Sequence, residues 1–216
     1  MSLQEFFYTS FKFLKGGRVV ARNSAGLDVA VVVDAALAIA DTDGVDKLSM
    51  RALAGRLKVT PMAIYHHVRN KEELLDLIAD ESLRALIDLD VPDDLETGLV
   101  TFFTAFHRLH LAHPALAHVM SQRPIEGPTA TLLGEELFGA LIDAGIDDDR
   151  AANAMVSLVN FTLGTSLYRM SRSGRHFGAL PQAPTANRLR DSLEAAAVDE
   201  AQFIDGLQRL VRSYLT

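Results

Sequence analysis

The chain has 216 residues, 49% hydrophobic and 23% charged, with a formal net charge of -7 and no cysteine. That is enough for one or two domains around real cores, in a composition ordinary for globular proteins. It excludes disulfides, thiolate chemistry and cysteine-held metal, and no run reaches the ~18 consecutive apolar residues of a membrane span. The charge is unevenly shared. Residues 1–71 carry ten Lys and Arg against six Asp and Glu, whereas residues 72–216 carry eleven Arg against twenty-two Asp and Glu. A basic front on an acidic remainder suits a phosphate-binding head on a body that DNA repels.

Residues 1–26 read as an extension. Phe6, Phe7, Tyr8, Phe11, Phe13 and Leu14 make it aromatic, and Lys12, Lys15, Arg18 and Arg22 make it basic. The charges do not precede the apolar run as they would in a signal peptide. The expectation is a poorly ordered terminus. The alternative is an arm laying Arg18 and Arg22 along DNA. Asp28 then caps a helix to Asp43, with Val32, Val33, Ala36, Leu37 and Ala40 at helical spacing. Gly44 ends it. Ser49 caps a short helix to Leu57, in which Leu53, Ala54 and Leu57 share a face. Lys58-Val59 makes a tight turn. Thr60 caps the next helix and Pro61 takes its first position, where a missing N–H costs nothing. Ile64 and Val68 point inward. Asn70 with Glu73 resembles a capping box for a helix from Lys71 to about Leu89, the mechanical link to whatever follows.

Pro92 breaks that helix, and Asp93 or Asp94 caps another to about His113, rich in Phe102, Phe103, Phe106, Leu109 and Leu111. A short helix from Ala115 to Met120, a loop over 123–128 and a helix from Thr129 to Ala144 follow. Three aspartates, Asp147 to Asp149, complement the dipole of a long helix from Arg150 to about Ser171. Its middle is apolar nearly all round, so it must be covered on several sides. Ser173 to Asp191 reads as a mobile loop. A final helix from Asp199 to Leu215 carries a wide stripe of Phe203, Ile204, Leu207, Leu210, Val211 and Tyr214. No segment alternates with period two, so the fold class is all-α. The long apolar helix and the striped terminal helix are the candidates for a homodimer interface.

Two short helices around a tight turn, with a polar outer face, make a helix-turn-helix. The residues Leu27-Asp28, Ala36-Leu37, Gly44, Leu48 to Arg51, Leu53-Ala54, Leu57, Val59, Tyr65, His67-Val68, Asn70-Lys71 and Leu74-Leu75 resemble the TetR family of bacterial repressors. The LDxxxVVxxAL start and YxHVxNKxxLL end are especially similar to the tetracycline-repressor branch. Lys58 stands where many relatives carry glycine, at a cost of ~1 kcal/mol for a left-handed turn.

The resemblance implies a helix-turn-helix domain over 27–72 and a helical effector-binding and dimerisation domain over 73–216. It implies a cytoplasmic repressor on palindromic double-stranded operator DNA. DNA contacts carry over to Arg51, Thr60, Pro61, Met62, Ala63, Tyr65, His66, His67 and Lys71. Met62 and Ala63 can offer only apolar contact to a base, and Lys71 is read as a phosphate contact. Phe103, Phe106, His110, Met120, Phe138, Met155, Asn160, Phe161 and Tyr168 come from helices that enclose the effector cavity in relatives. The implied effector is small and mostly apolar or aromatic. His176 and Phe177 are placed to close over it. His107, His110 and His113 recur every three residues with His118 beyond, which raises metal binding. The triad drifts ~60° per step around the helix and no carboxylate lies beside it, so no metal site and no cofactor is assigned. No nucleophile elbow, P-loop or dinucleotide glycine motif occurs, so no enzyme is read. The rival class is an architectural DNA binder without an effector.

Overall fold

In the computed structural model, which describes residues 27–123, 127–172 and 182–216, the Asp28 carboxylate accepts from Ala30 N–H and opens α1 (Val29–Asp43). A 3-10 turn (Val45–Lys47) leads to α2 (Met50–Leu57), whose first turn is capped by Ser49 Oγ at 3.1 Å from Ala52 N. Helix α3 (Pro61–Tyr65) is short, with Pro61 in its first turn as expected. Val32, Ala36, Leu53, Ile64 and Leu74 are completely buried behind it. Each such aliphatic side chain larger than alanine contributes ~1.5–3 kcal/mol of burial, which is what holds three short helices together.

Asn70 caps α4 (Lys71–Ser82). The α-helix stops short of Leu89, and a 3-10 turn (Leu83–Leu86) carries the chain on. Residues three apart eclipse in a 3-10 turn, and here this drives both Leu83 and Leu86 into the core. The body comprises α5 (Leu95–Ala112), α6 (Pro114–Gln122), α7 (Pro128–Asp143), α8 (Asp148–Arg172), α9 (Pro184–Ala196) and α10 (Glu200–Leu215). Helices α5, α8 and α10 pack against one another around the buried Phe103, Leu158, Phe203 and Leu207. Helix α6 lies between this body and the head, touching α1, α4, α5 and α8. Among the described residues there is no strand.

The loop expected over 173–191 is corrected in its second half. Residues 184–191 belong to α9, while 173–181, with His176 and Phe177, lie outside the described residues. Pro184 occupies the first turn, where proline is tolerated, instead of breaking a helix. No α9 residue is buried, and Leu189 and Leu193, one turn apart, are exposed. The expected extension over residues 1–26 also lies outside the described residues.

Candidate DNA-reading surface and its link to the body

The turn of the helix-turn-helix is built on Lys58, at φ 56° and ψ 38°, left-handed as its position demands. Val59 N donates to Ala54 O at 3.0 Å and Lys58 N to Gly55 O at 3.3 Å. That pair of bonds is a Schellman motif, which satisfies the last carbonyls of α2 and aims α3 outward. Ile64 is fully buried and Val68 nearly so, and they pin the back of the unit. Its front is Arg51, Thr60, Pro61, Met62, Tyr65 and His66, all exposed, with Ala63 and His67 half-buried. Met62 is 66% and Tyr65 47% exposed, large apolar area left bare on one face. Thr60 stands at the cap position, yet its hydroxyl makes no cap bond, which departs from the sequence reading. Asn70 Oδ1 accepts from Glu73 N at 2.8 Å, but Glu73 reaches back to Arg69 N at 2.7 Å and not to Asn70.

Lys71 is half-buried and its Nζ donates to Val45 O at 2.9 Å. One of its three ammonium donors therefore ties the start of α4 to the α1–α2 connection, leaving two.

Head and body are joined by carboxylates. Helix α6 begins at His113 and Pro114 with no cap of its own. Asp41, in the last turn of α1, supplies it: Ala115 N donates to Asp41 Oδ1 at 2.9 Å, and His113 Nδ1 lies 3.0 Å from Asp41 Oδ2. Helix α7 begins at Gly127 and Pro128, again without a cap side chain. Asp80 of α4, 7% exposed, accepts from Ala130 N at 2.9 Å. The fit admits only glycine at 127, since a Cβ there would stand 2.3 Å from Asp80 Cγ. At the far end of α6, Arg123 pairs with Glu72 (2.6 Å) and Asp76 (2.8 Å) of α4. Helix α6 is thus fastened to the head at one end and to the linking helix at the other. Beside these ties a cleft of about 260 Å³ separates α1 from α4 and α5, lined by Val33, Asp34, Leu37, Ser82, Leu109 and His113. The joint thus combines polar ties with a partly open cleft beside a hydrophobic core that runs from head to body.

The residues assigned to an effector cavity do not form one cluster. Phe103, Phe106, His110, Met120 and Met155 are buried together in the body, whereas Phe138, Asn160 and Tyr168 are exposed on this protomer. Phe161 stacks on Phe203 at 5.6 Å and belongs to the α8–α10 packing. Phe102, which the sequence reading did not assign to the cavity, heads an aromatic row: it meets Phe103 edge-on at 5.3 Å and Phe106 at 6.4 Å, and Phe106 meets His110 at 4.2 Å.

His107 and His110 are completely buried. Ser166 Oγ donates to Thr162 O at 2.7 Å, so it accepts from His107 Nδ1–H at 2.7 Å. The other ring nitrogen then faces the Arg169 guanidinium at 3.4 Å, and the ring stacks on Phe203 at 4.1 Å. Burial, reinforced by Arg169, holds the His107 pKa down at about 4. Burial, reinforced by His107, does the same to His110, also about 4. Its Nε2 lies 3.3 Å from Met120 Sδ, and its Nδ1 has no partner among the described residues. His113 and His118 sit elsewhere, on Asp41 and Gln122. Among the described residues no group of three His, Asp or Glu can hold a metal ion.

Residues 32–78 match the model of bacterial regulatory proteins of the tetR family, and residues 90–211 match the tetracyclin repressor-like C-terminal domain. The chain belongs to the TetR family. It is similar to the tetracycline repressor protein class A from transposon 1721 of Escherichia coli, 33% identical over 189 residues, 83% of this chain and 87% of that protein. An HTH-type transcriptional regulator of Saccharopolyspora erythraea is 35% identical over 137 residues, and there the match spans only 57% of the relative's length. Among solved structures, apo ActR from Streptomyces coelicolor superposes with a TM-score of 0.72 at 28% identity, over 89% of this chain and 97% of that one. ActR has also been solved in complex with actinorhodin. As a TetR-family member the chain is a helix-turn-helix transcriptional regulator, and the family match over α5 to α10 gives its body the ligand-responsive half of that architecture.

Proposed function

We propose that this chain is a homodimeric repressor that holds a palindromic operator and releases it when a small, mostly apolar or aromatic effector enters the body. The observation that carries this is the pairing of a bare reading face on α3 with a body fastened to it through α6. Arg51, Thr60, Tyr65, His66, His67 and Lys71 supply phosphate and polar contacts, and Met62 with Ala63 supplies apolar contact to a base edge. The curated tetracycline repressors and the ligand-bound ActR support the effector. Phe103, Phe106, His110, Met120 and Met155, from α5, α6 and α8, are the residues around which it would bind. An effector acts here only through its difference in affinity between two packings of α6 against α1 and α4. Operator must therefore weaken effector binding by the same factor.

Dimerisation would use α8. Ala152, Val156, Asn160, Gly164 and Tyr168, four apart, are all exposed and form one seam along that helix. Val156 is 61% and Tyr168 47% exposed, which a second copy would cover, and Gly164 permits close approach. Helix α10 keeps Phe203, Leu207 and Val211 inside its own protomer and contributes only its half-buried flank, including Ile204 and Tyr214. Sedimentation of the wild type should give twice 23.5 kDa, and Val156→Arg, a charge in the seam, should yield monomer and abolish operator binding. A monomeric wild type, or a variant that still dimerises, overturns this interface.

A further inference from the structure

Glu136 lies in the middle of α7, 5% exposed, with no hydrogen bond or ion pair among the described residues. It lines a crevice of about 10 Å³ together with Val91, Leu95, Leu99, Phe102, Leu137 and Ala140. No cation stands among those walls, and the space holds about one water. Burial alone raises its pKa to about 7. As a structural residue it is a cost, because a leucine there would bury without desolvating a charge. Among the described residues it caps no helix and bridges no elements, unlike Asp41 and Asp80.

What the site offers is a carboxylate at the end of an aromatic row. Phe102 shares the crevice with Glu136 and leads through Phe106 to His110, with Phe103 branching off edge-on. A negative group beside an aromatic side chain is a pairing that recognises organic cations. One wall, at Val91, is irregular backbone ahead of α5 rather than helix.

We infer that Glu136 is the anchor for an effector that carries a positively charged amine on an apolar or aromatic body. This rests on the effector reading above and deepens it. The carboxylate pairs with the ammonium, the ring row takes the apolar body, and an anionic analogue is rejected by the same charge.

The test uses the full chain and three probes of matched shape and different charge: phenethylamine, phenethyl alcohol and phenylacetate. Binding is measured by titration calorimetry at neutral pH on the wild type and on Glu136→Gln, with operator release followed in parallel. The wild type should prefer the amine to the alcohol by about tenfold or more. It should bind phenylacetate most weakly. In Glu136→Gln, which removes the charge and keeps the shape, the amine-to-alcohol ratio should fall to about one. Equal binding of amine and alcohol by the wild type, a preference that survives in Glu136→Gln, or no amine binding at all overturns the assignment. Amine preference lost in Glu136→Gln without any effect on operator binding would leave the anchor standing and sink the effector reading. An uncharged probe that releases operator equally from both proteins would do the reverse.

Discussion

Removing Asp41 tests whether head and body are coupled through borrowed caps. Helix α6 has only His113 at its cap position, with no side-chain cap bond, and Pro114 in its first turn. Asp41 fills that role from another helix, accepting from Ala115 N at 2.9 Å while holding His113 Nδ1 at 3.0 Å. Asp41→Ala deletes a cap, at ~1 kcal/mol. It also removes a negative charge from the positive end of a helix dipole, at ~0.3–1 kcal/mol. The half-exposed His113 loses a partner that water replaces at little cost. The sum is about 1.3–2 kcal/mol, all of it from the head–body contact. Asp41→Asn keeps an acceptor of the same shape and should recover more than half of it. Urea denaturation at fixed protein concentration measures the loss, and hydrogen exchange at Ala115 locates it. If Asp41→Ala lowers stability by less than ~0.5 kcal/mol and Ala115 stays protected, the cap is ornamental and the coupling must run elsewhere. A second consequence separates coupling from stability. The variant should bind operator as a folded protein but respond to effector less steeply, since one fastening between α6 and α1 is gone.

Other predictions follow from the buried imidazoles and the turn. His107 and His110 have pKa values near 4 in the folded chain against 6.5 when free. Between those values these two imidazoles bind more protons in the unfolded chain, so their contribution to stability is full above pH 6.5, declines as pH falls, and is lost by about pH 4. The decline should be on the order of 3 kcal/mol per imidazole, and His107→Gln should flatten the urea midpoint-versus-pH curve in that window; an unchanged slope contradicts the burial argument. Lys58→Gly relieves a left-handed side-chain residue and should raise stability by ~0.5–1 kcal/mol with operator affinity unchanged. Destabilisation would mean that the Lys58 side chain itself contributes to the fold.

The head was legible because its determinants are local. Ser49, Pro61, Asn70 and the left-handed Lys58 each act within four residues, and Ile64 and Val68 are one turn apart. The joint was not legible for the opposite reason. Asp41 and Asp80 cap helices through amides 74 and 50 residues away, and no spacing rule reaches that far. Helix α9 escaped because it buries nothing, so it carries no buried stripe to mark it. Glu136 did leave a signal: three residues after Leu133 and four before Ala140, it falls on the apolar side of α7. The histidines divided as their drift around α5 required, with His107 and His110 inward and His113 at the cap. Of the residues expected around the effector, Phe138, Asn160 and Tyr168 lie on exposed sides of helices whose other sides form the core, which spacing along one helix does not distinguish.

Selection of bound DNA from a random pool by the purified full chain addresses the repressor reading most directly. A twofold pair of α3 helices should enrich an inverted repeat whose half-sites are centred ~34–36 Å, or a multiple of it, apart on one face of the duplex. Enrichment of a single, non-repeated site, or of no sequence at all, would contradict it.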